Sequence, residues 1–190
     1  MRMRALCLAG LILLPAACAD GNAGGTERPM DAAATGGPAN PRVLDCENRG
    51  VSFPEEDDGP YRTGPDDLVA GPLIIPGLRA WADADPAAYG RDGRYKVAVV
   101  MRAGTSATLS IPAEHHRDAG LLYAAAARDA RTPLQADHAI TFTACAGHDT
   151  IFPGLMFVPR RTEVPLLVRP LRPASGAAVR EVVSFFADRR

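Results

Sequence analysis

The chain has 190 residues, 21 basic against 22 acidic side chains, and 47% hydrophobic residues. A composition so balanced gives no basic patch to track a phosphate backbone, so nucleic acid is not an expected partner. Lys96 is the single lysine, and the richness in Ala, Gly and Pro reads as the mark of a GC-rich genome.

The first element is a targeting segment. Met1-Arg2-Met3-Arg4 is a short positive head, and the run from Ala5 to Ala17 is almost wholly apolar and ends in small residues. This is the pattern of an export signal over 1–17. The run is only 13 residues long and holds Gly10 and Pro15, whereas about 20 apolar residues are needed to cross a bilayer. With Arg2 and Arg4 removed, 19 basic residues face 22 acidic ones, a net charge of −3.

Leu13-Leu14-Pro15-Ala16-Ala17-Cys18 resembles the lipobox of bacterial lipoproteins, with the favoured leucine one place early because Pro15 holds the third position before the cysteine. The resemblance implies cleavage before Cys18, a diacylglycerol on its thiol, and a membrane partner held through that lipid on the outer face. Ordinary cleavage after Ala19, with plain secretion, is the alternative.

Cysteine counting bears on the choice. Losing the signal removes Cys7 and leaves Cys18, Cys46 and Cys145, an odd number for an oxidising compartment. Acylation of Cys18 leaves an even pair, so Cys46 and Cys145 are expected to form a disulfide that staples the domain.

Residues 18–41 hold almost no large apolar side chains after the cysteine and read as a flexible tether. Residues 42–190 suit one domain with its own core. Within it, short runs rich in Val, Ile, Leu and Phe are punctuated by Pro and Gly, the rhythm of an all-β sandwich, immunoglobulin-like or a related Greek key, with room for one short helix. Expected strands are 43–46, 72–78, 95–102, 107–112, 121–125, 140–145, 154–159, 164–169 and 179–186. The segment 95–101 is expected to form a hairpin with 108–111 through Ala103-Gly104-Thr105-Ser106. Alternation over 138–145 places Ile140, Phe142 and Ala144 on one face and Thr141, Thr143 and Cys145 on the other. Residues 81–89 read as a short helical turn. Segments 118–131 and 179–187 fit helix or strand, and strand is preferred for both on context.

The stretch YKVAVVMRAGTSATLSIP, followed by AGLLY, FTAC, TIFPG and VPLLVR, resembles small secreted proteins and lipoproteins of high-GC Gram-positive bacteria. That resemblance covers about half the chain, implies a β domain and a cell-envelope address, and carries no catalytic motif.

Few groupings could carry chemistry. Cys145-Ala146-Gly147-His148, with Met156 further on and His115 or His116 upstream, resembles the copper loop of cupredoxins and implies soft sulfur and imidazole ligands. It would make the chain a metal-binding envelope protein, at the expense of leaving Cys46 without a partner. Adjacent His115 and His116 read as a solvated loop, since neighbouring side chains on extended backbone point apart. Six carboxylates within thirteen residues, at Glu55 to Asp58 and at Asp66 and Asp67, lack the spacing of an EF-hand loop. There is no Gly-x-Ser-x-Gly elbow, with Ser106 reading as a turn residue, and no phosphate-cradling glycine loop or dinucleotide fingerprint. The expectation is a cofactor-free binding or structural module without catalysis, its protein or small-molecule partner left open.

Overall fold

The computed structural model describes residues 35–50, 59–173 and 176–187. The signal segment, Cys18 and the tether up to residue 34 lie outside these, as do Glu55 to Asp58. The domain is all-β and sandwich-like. Among the described residues thirteen strands fall in chain order: β1 (Arg42–Leu44), β2 (Leu68–Ala70), β3 (Leu73–Ile75), β4 (Gly90–Arg91), β5 (Arg94–Lys96), β6 (Val99–Met101), β7 (Ser106–Ser110), β8 (Gly120–Leu121), β9 (Ala139–Thr143), β10 (Thr150–Phe152), β11 (Leu155–Phe157), β12 (Thr162–Arg172) and β13 (Val179–Phe185). Among the described residues the helical pieces are short 3-10 turns and one four-residue α-helix, Pro86–Tyr89.

One layer is a five-stranded sheet in the order β1-β9-β7-β12-β13, antiparallel except for the β1–β9 pair. Its alternation follows the sequence. Ile140 and Phe142 on β9, Leu109 on β7, and Leu166 and Val168 on β12 are fully buried. Thr108 and Thr141 lie opposite each other on the outer face and share a 2.8 Å hydroxyl hydrogen bond.

The remaining strands hydrogen-bond as two four-stranded sheets, β10-β6-β3-β2 and β4-β5-β11-β8. Their registers show why they act as one bent layer. Thr150 faces Met101 and Phe152 faces Val99 in the first, while Leu155 faces Lys96 and Phe157 faces Arg94 in the second, so a single antiparallel ladder runs through both without a slip. The Val97 amide donates to the Gly154 carbonyl across the break at 3.0 Å. The break sits at Pro153, which has no N–H for the ladder. Beside it, a Cβ on Gly154 would lie 2.1 Å from the Tyr123 ring, so only glycine lets that ring reach Phe142, against which it packs edge-on at 5.2 Å.

Side chains from all three sheets meet in one core, which includes Leu68, Leu73, Met101, Leu121, Phe142, Phe152, Met156, Leu166 and Phe185. Each such side chain, fully buried, contributes about 1.5–3 kcal/mol. A smaller cluster of Leu122, Ala127, Ala130, Ala136 and Phe157 lies beside it.

Several expectations need correction. The hairpin between 95–101 and 108–111 does not form: β6 pairs with β3 and β10, whereas β7 pairs with β9 and β12. The turn at Gly104 (φ 66) is real, but the Gly104 amide donates to the Cys145 carbonyl at 2.8 Å and the Ala144 amide to the Thr105 carbonyl at 2.9 Å. The chain therefore crosses there from one layer to the other. The alanine-rich segment 118–131 is neither a strand nor a helix throughout, holding β8 and a 3-10 turn at Ala125–Ala127. Its alanines fill the space beneath Phe157, which needs small side chains more than a regular backbone. The strand over 179–186 is observed as β13, and the turn expected over 81–89 is shared between a 3-10 helix, Leu78–Ala82, and the α-helix at Pro86–Tyr89. Strands β2, β4 and β10 were missed because two or three residues carry too little period to read.

Residues 36–41, assigned by composition to the tether, lie on the domain. Gly36 is buried, and its carbonyl accepts from the amides of His138 (2.7 Å) and Ala139 (3.0 Å). A Cβ there would stand 2.6 Å from the Ala139 carbonyl oxygen, so glycine is what allows the close approach.

Candidate functional site

Cys46 and Cys145 form a disulfide across 99 residues of chain, with Cα atoms 4.9 Å apart. Cys46 opens a 3-10 turn, Cys46–Asn48, capped by Asp45, whose carboxylate accepts from the Glu47 amide at 3.0 Å. Cys145 follows β9 and is 5% exposed, its amide donating to Thr150 Oγ1 at 2.8 Å. Next to it, buried Asp149 accepts from the amides of Tyr61 and Ala103, both at 2.9 Å, and from Arg102 Nη1 at 2.6 Å. Burial works to raise the Asp149 carboxyl, but these donors and the Arg102 charge outweigh it and hold the group below the usual carboxylate range.

The disulfide uses the sulfur that a copper centre would need. The other proposed ligands do not gather round that sulfur. Met156 is fully buried on β11, between Tyr95 of β5 and Leu121 of β8. His116 Nε2 is 2.9 Å from the Ile111 carbonyl, and His115 Nδ1 lies 3.7 Å from the Asp118 carboxylate. No group of three or more His, Cys, Asp or Glu side chains among the described residues is arranged to hold a metal ion. The reading of Cys145, His148, Met156 and His115 or His116 as ligands is corrected accordingly. Of the acidic run, Asp67 closes turns: it accepts from the amides of Gly64 and Gly77, each at 2.8 Å, and from the Tyr61 hydroxyl at 3.1 Å. Ser106, expected in a turn, is the buried first residue of β7.

A second polar cluster holds the start of the domain. The Asp137 carboxylate is fully buried and accepts from the Gly36 amide (2.6 Å), Arg42 Nε (2.6 Å) and Arg42 Nη2 (2.9 Å). The neighbouring His138 ring stacks on His116, with centroids 3.7 Å apart and planes 11° from parallel. His138 is 5% exposed and its Nε2 makes no hydrogen bond. Burial first, and then the neighbouring His116, hold its imidazole below the ordinary range. Arginine and aspartate satisfy each other here, and the arrangement reads as a structural clasp.

The third feature is a cleft of about 400 Å³ whose walls include Pro76, Ala80, Trp81, Asp83, Ala84 and Lys96. Trp81 stands on the 3-10 helix that follows Gly77, which has φ 64; Leu78, in the same helix, is fully buried and fixes it to the core. The indole rests on an aromatic bed: Tyr95 at 5.0 Å, Phe186 at 5.9 Å and Phe185 at 6.4 Å between centroids. Successive residues of a strand point to opposite faces, yet Phe185 and Phe186 are both buried against Trp81. The backbone at Phe186 has φ 58, a left-handed conformation rare for an aromatic residue, and its amide donates to the Trp81 carbonyl at 3.0 Å. Such local strain persists only where the surroundings over-determine it, and it gathers at functional sites. Lys96 stands next to buried Tyr95 on β5, exposed and without an ion pair among the described residues.

Comparison with known proteins does not place the chain. No family model, curated protein or solved structure matches it. The cleft residues were invisible as a group in the sequence, where Trp81 was a turn residue and Lys96 a compositional oddity. The available signal was that the only tryptophan, the only lysine and the only Phe-Phe pair of the chain belong to one feature.

Proposed function

We propose that the chain is an exported cell-envelope lipoprotein, tethered to the outer face of the membrane through lipid on Cys18, whose β domain is a binding module without catalysis. The observation that carries this reading is the Cys46–Cys145 disulfide. Such bonds persist in oxidising environments, and the pairing leaves Cys18 as the single unpaired cysteine after the export signal, the position that a lipobox would acylate. The aromatic bed under Trp81 supports a binding role, because rigid aromatic walls with a few polar groups are what small-molecule sites present. The test is fractionation of cells expressing the wild type and Cys18→Ser. Wild type in the membrane fraction and the variant in the soluble exported fraction is the expected result. Retention of the variant in the membrane, or plain secretion of the wild type, would refute the anchor.

A further inference from the structure

We propose that the outer face of the five-stranded sheet is a docking surface for an anionic lipid bilayer. The choice of partner rests on the envelope reading, while the geometry stands on the sheet alone. Val168 on β12 and Val183 on β13 are buried in the core, so Arg169, Arg180 and Val182 turn outward by the period of the strand. Arg172 ends β12 opposite Ser106, on the side of β7 that carries Thr108. These three arginines are exposed and have no ion pair or hydrogen-bond partner for their side chains among the described residues. Glu181, next to Arg180, turns to the other side and pairs with Arg79 at 3.0 Å. The outward carboxylates lie at the corners of the sheet. Glu163 is six residues from Arg169 along β12, a backbone distance of about 20 Å, and about 14 Å from Arg180. Asp45, just past β1, is three strands from Arg172, about 14 Å. These spacings exceed the Debye length of about 8 Å at physiological ionic strength, so the face stays positive on a mature chain whose net charge is −3.

Two further observations select a bilayer over a soluble anion. Val43, Leu171 and Val182 are three of the six large hydrophobic residues exposed among the described residues, and all three belong to this face. Val43 lies opposite Thr141, and Leu171 lines a groove of about 310 Å³ together with Arg169, Thr108 and Thr141. Membrane-surface binding scales with buried apolar area plus attraction to anionic lipid, and a guanidinium takes phosphate oxygens through two parallel hydrogen bonds. The chain from the anchor also arrives here. Pro38 and Pro41 line the same groove, and 16 residues separate Cys18 from Thr35. A Gly- and Ala-rich spacer of that length spans about 20–25 Å, which brings this face within reach of the bilayer that holds the lipid.

The test uses the full mature chain carrying Cys18→Ser, so that no acyl group contributes. Cosedimentation is measured with vesicles of phosphatidylglycerol and phosphatidylcholine in equal parts, with phosphatidylcholine alone, and at low and high salt. Binding to the anionic vesicles that is lost in high salt is expected. Arg169→Gln combined with Arg180→Gln should weaken it about 25-fold, fivefold for each charge at the surface. Arg128→Gln combined with Arg131→Gln removes the same charge from the segment that packs against Phe157 of β11 and should leave binding nearly unchanged; all four positions are exposed, so the fold is retained. Equal binding to neutral vesicles, equal loss in the two double variants, no loss in the Arg169 and Arg180 variant, or binding to soluble polyphosphate as tight as to the vesicles would each overturn the proposal. None of these outcomes depends on Cys18, so failure here is distinct from failure of the lipid anchor in the fractionation experiment.

Discussion

Removing the disulfide is the sharpest test of how this domain is held together. Replacing Cys46 and Cys145 by serine opens a loop whose ends are 99 residues apart. In the chain-entropy model a loop of that length corresponds to about 4.7 kcal/mol at 25 °C, an upper figure because real unfolded chains retain structure. The native side adds a smaller loss, since Cys145 is 5% exposed and a serine hydroxyl there needs a partner. The bridge also ties the 3-10 turn after β1 to the loop at 145–149 that carries Asp149 with its donors from Tyr61, Arg102 and Ala103. A domain of this size shifts its midpoint by about 2–4 °C per kcal/mol, so a loss of about 4 kcal/mol corresponds to roughly 8–16 °C. Thermal denaturation of wild type and double variant, followed by circular dichroism at one pH and scan rate, reads this directly. A shift of under about 3 °C would refute the argument that chain closure is a main source of stability.

Two further outcomes are expected from the buried groups. The His138 imidazole is held below its ordinary range in the fold, so between its ordinary value of about 6.5 and its folded value the unfolded chain binds the extra proton. Its contribution is therefore present above about pH 6.5 and lost as pH falls toward the folded value, and Asp149, also lowered, acts in the same direction at still lower pH. The urea midpoint should fall from pH 7 to pH 5 in the wild type and fall less in His138→Gln; equal slopes would count against the stacked pair as the cause. Gly154→Ala places a Cβ 2.1 Å from the Tyr123 ring and should destabilise by about 1–3 kcal/mol through overpacking, measured as the loss in denaturant midpoint at constant slope.

The disulfide and the long strands were legible because their signals are local or countable. Alternation over 139–143 is visible in the residues themselves, and Cys46 and Cys145 are the two cysteines that remain once the expected signal and lipid-attachment cysteines are set aside. The hairpin failed for a physical reason: Gly104 marks a turn correctly, but turn chemistry does not say which sheet the next strand joins. That choice is made by Phe142, Leu109 and Val168 packing across the five-stranded sheet. The register of 94–101 against 150–157 depends on partners 49 to 63 residues away, which no single-chain period encodes. The cleft was hidden for a similar reason, since Phe186 reaches Trp81 only through a left-handed backbone turn at the end of β13. Gly36 was assigned to the tether because composition describes what a residue can bury, while its backbone is held regardless of side chain: its amide donates to the buried Asp137 carboxylate and its carbonyl accepts from the His138 and Ala139 amides.

The clasp at Gly36, Arg42 and Asp137 gains a mechanical meaning if the chain ahead of it is tied to a membrane. Tension arriving from the anchor would reach the domain at Gly36 and be borne first by hydrogen bonds to Asp137, His138 and Ala139, then by the β1–β9 ladder. Should these give way, peeling would stop at Cys46, where a covalent bond to Cys145 passes the load to the end of β9, which stays paired with β7. The domain would lengthen by about ten residues of slack, roughly 35 Å at full extension, and the sheets behind the bolt would remain assembled.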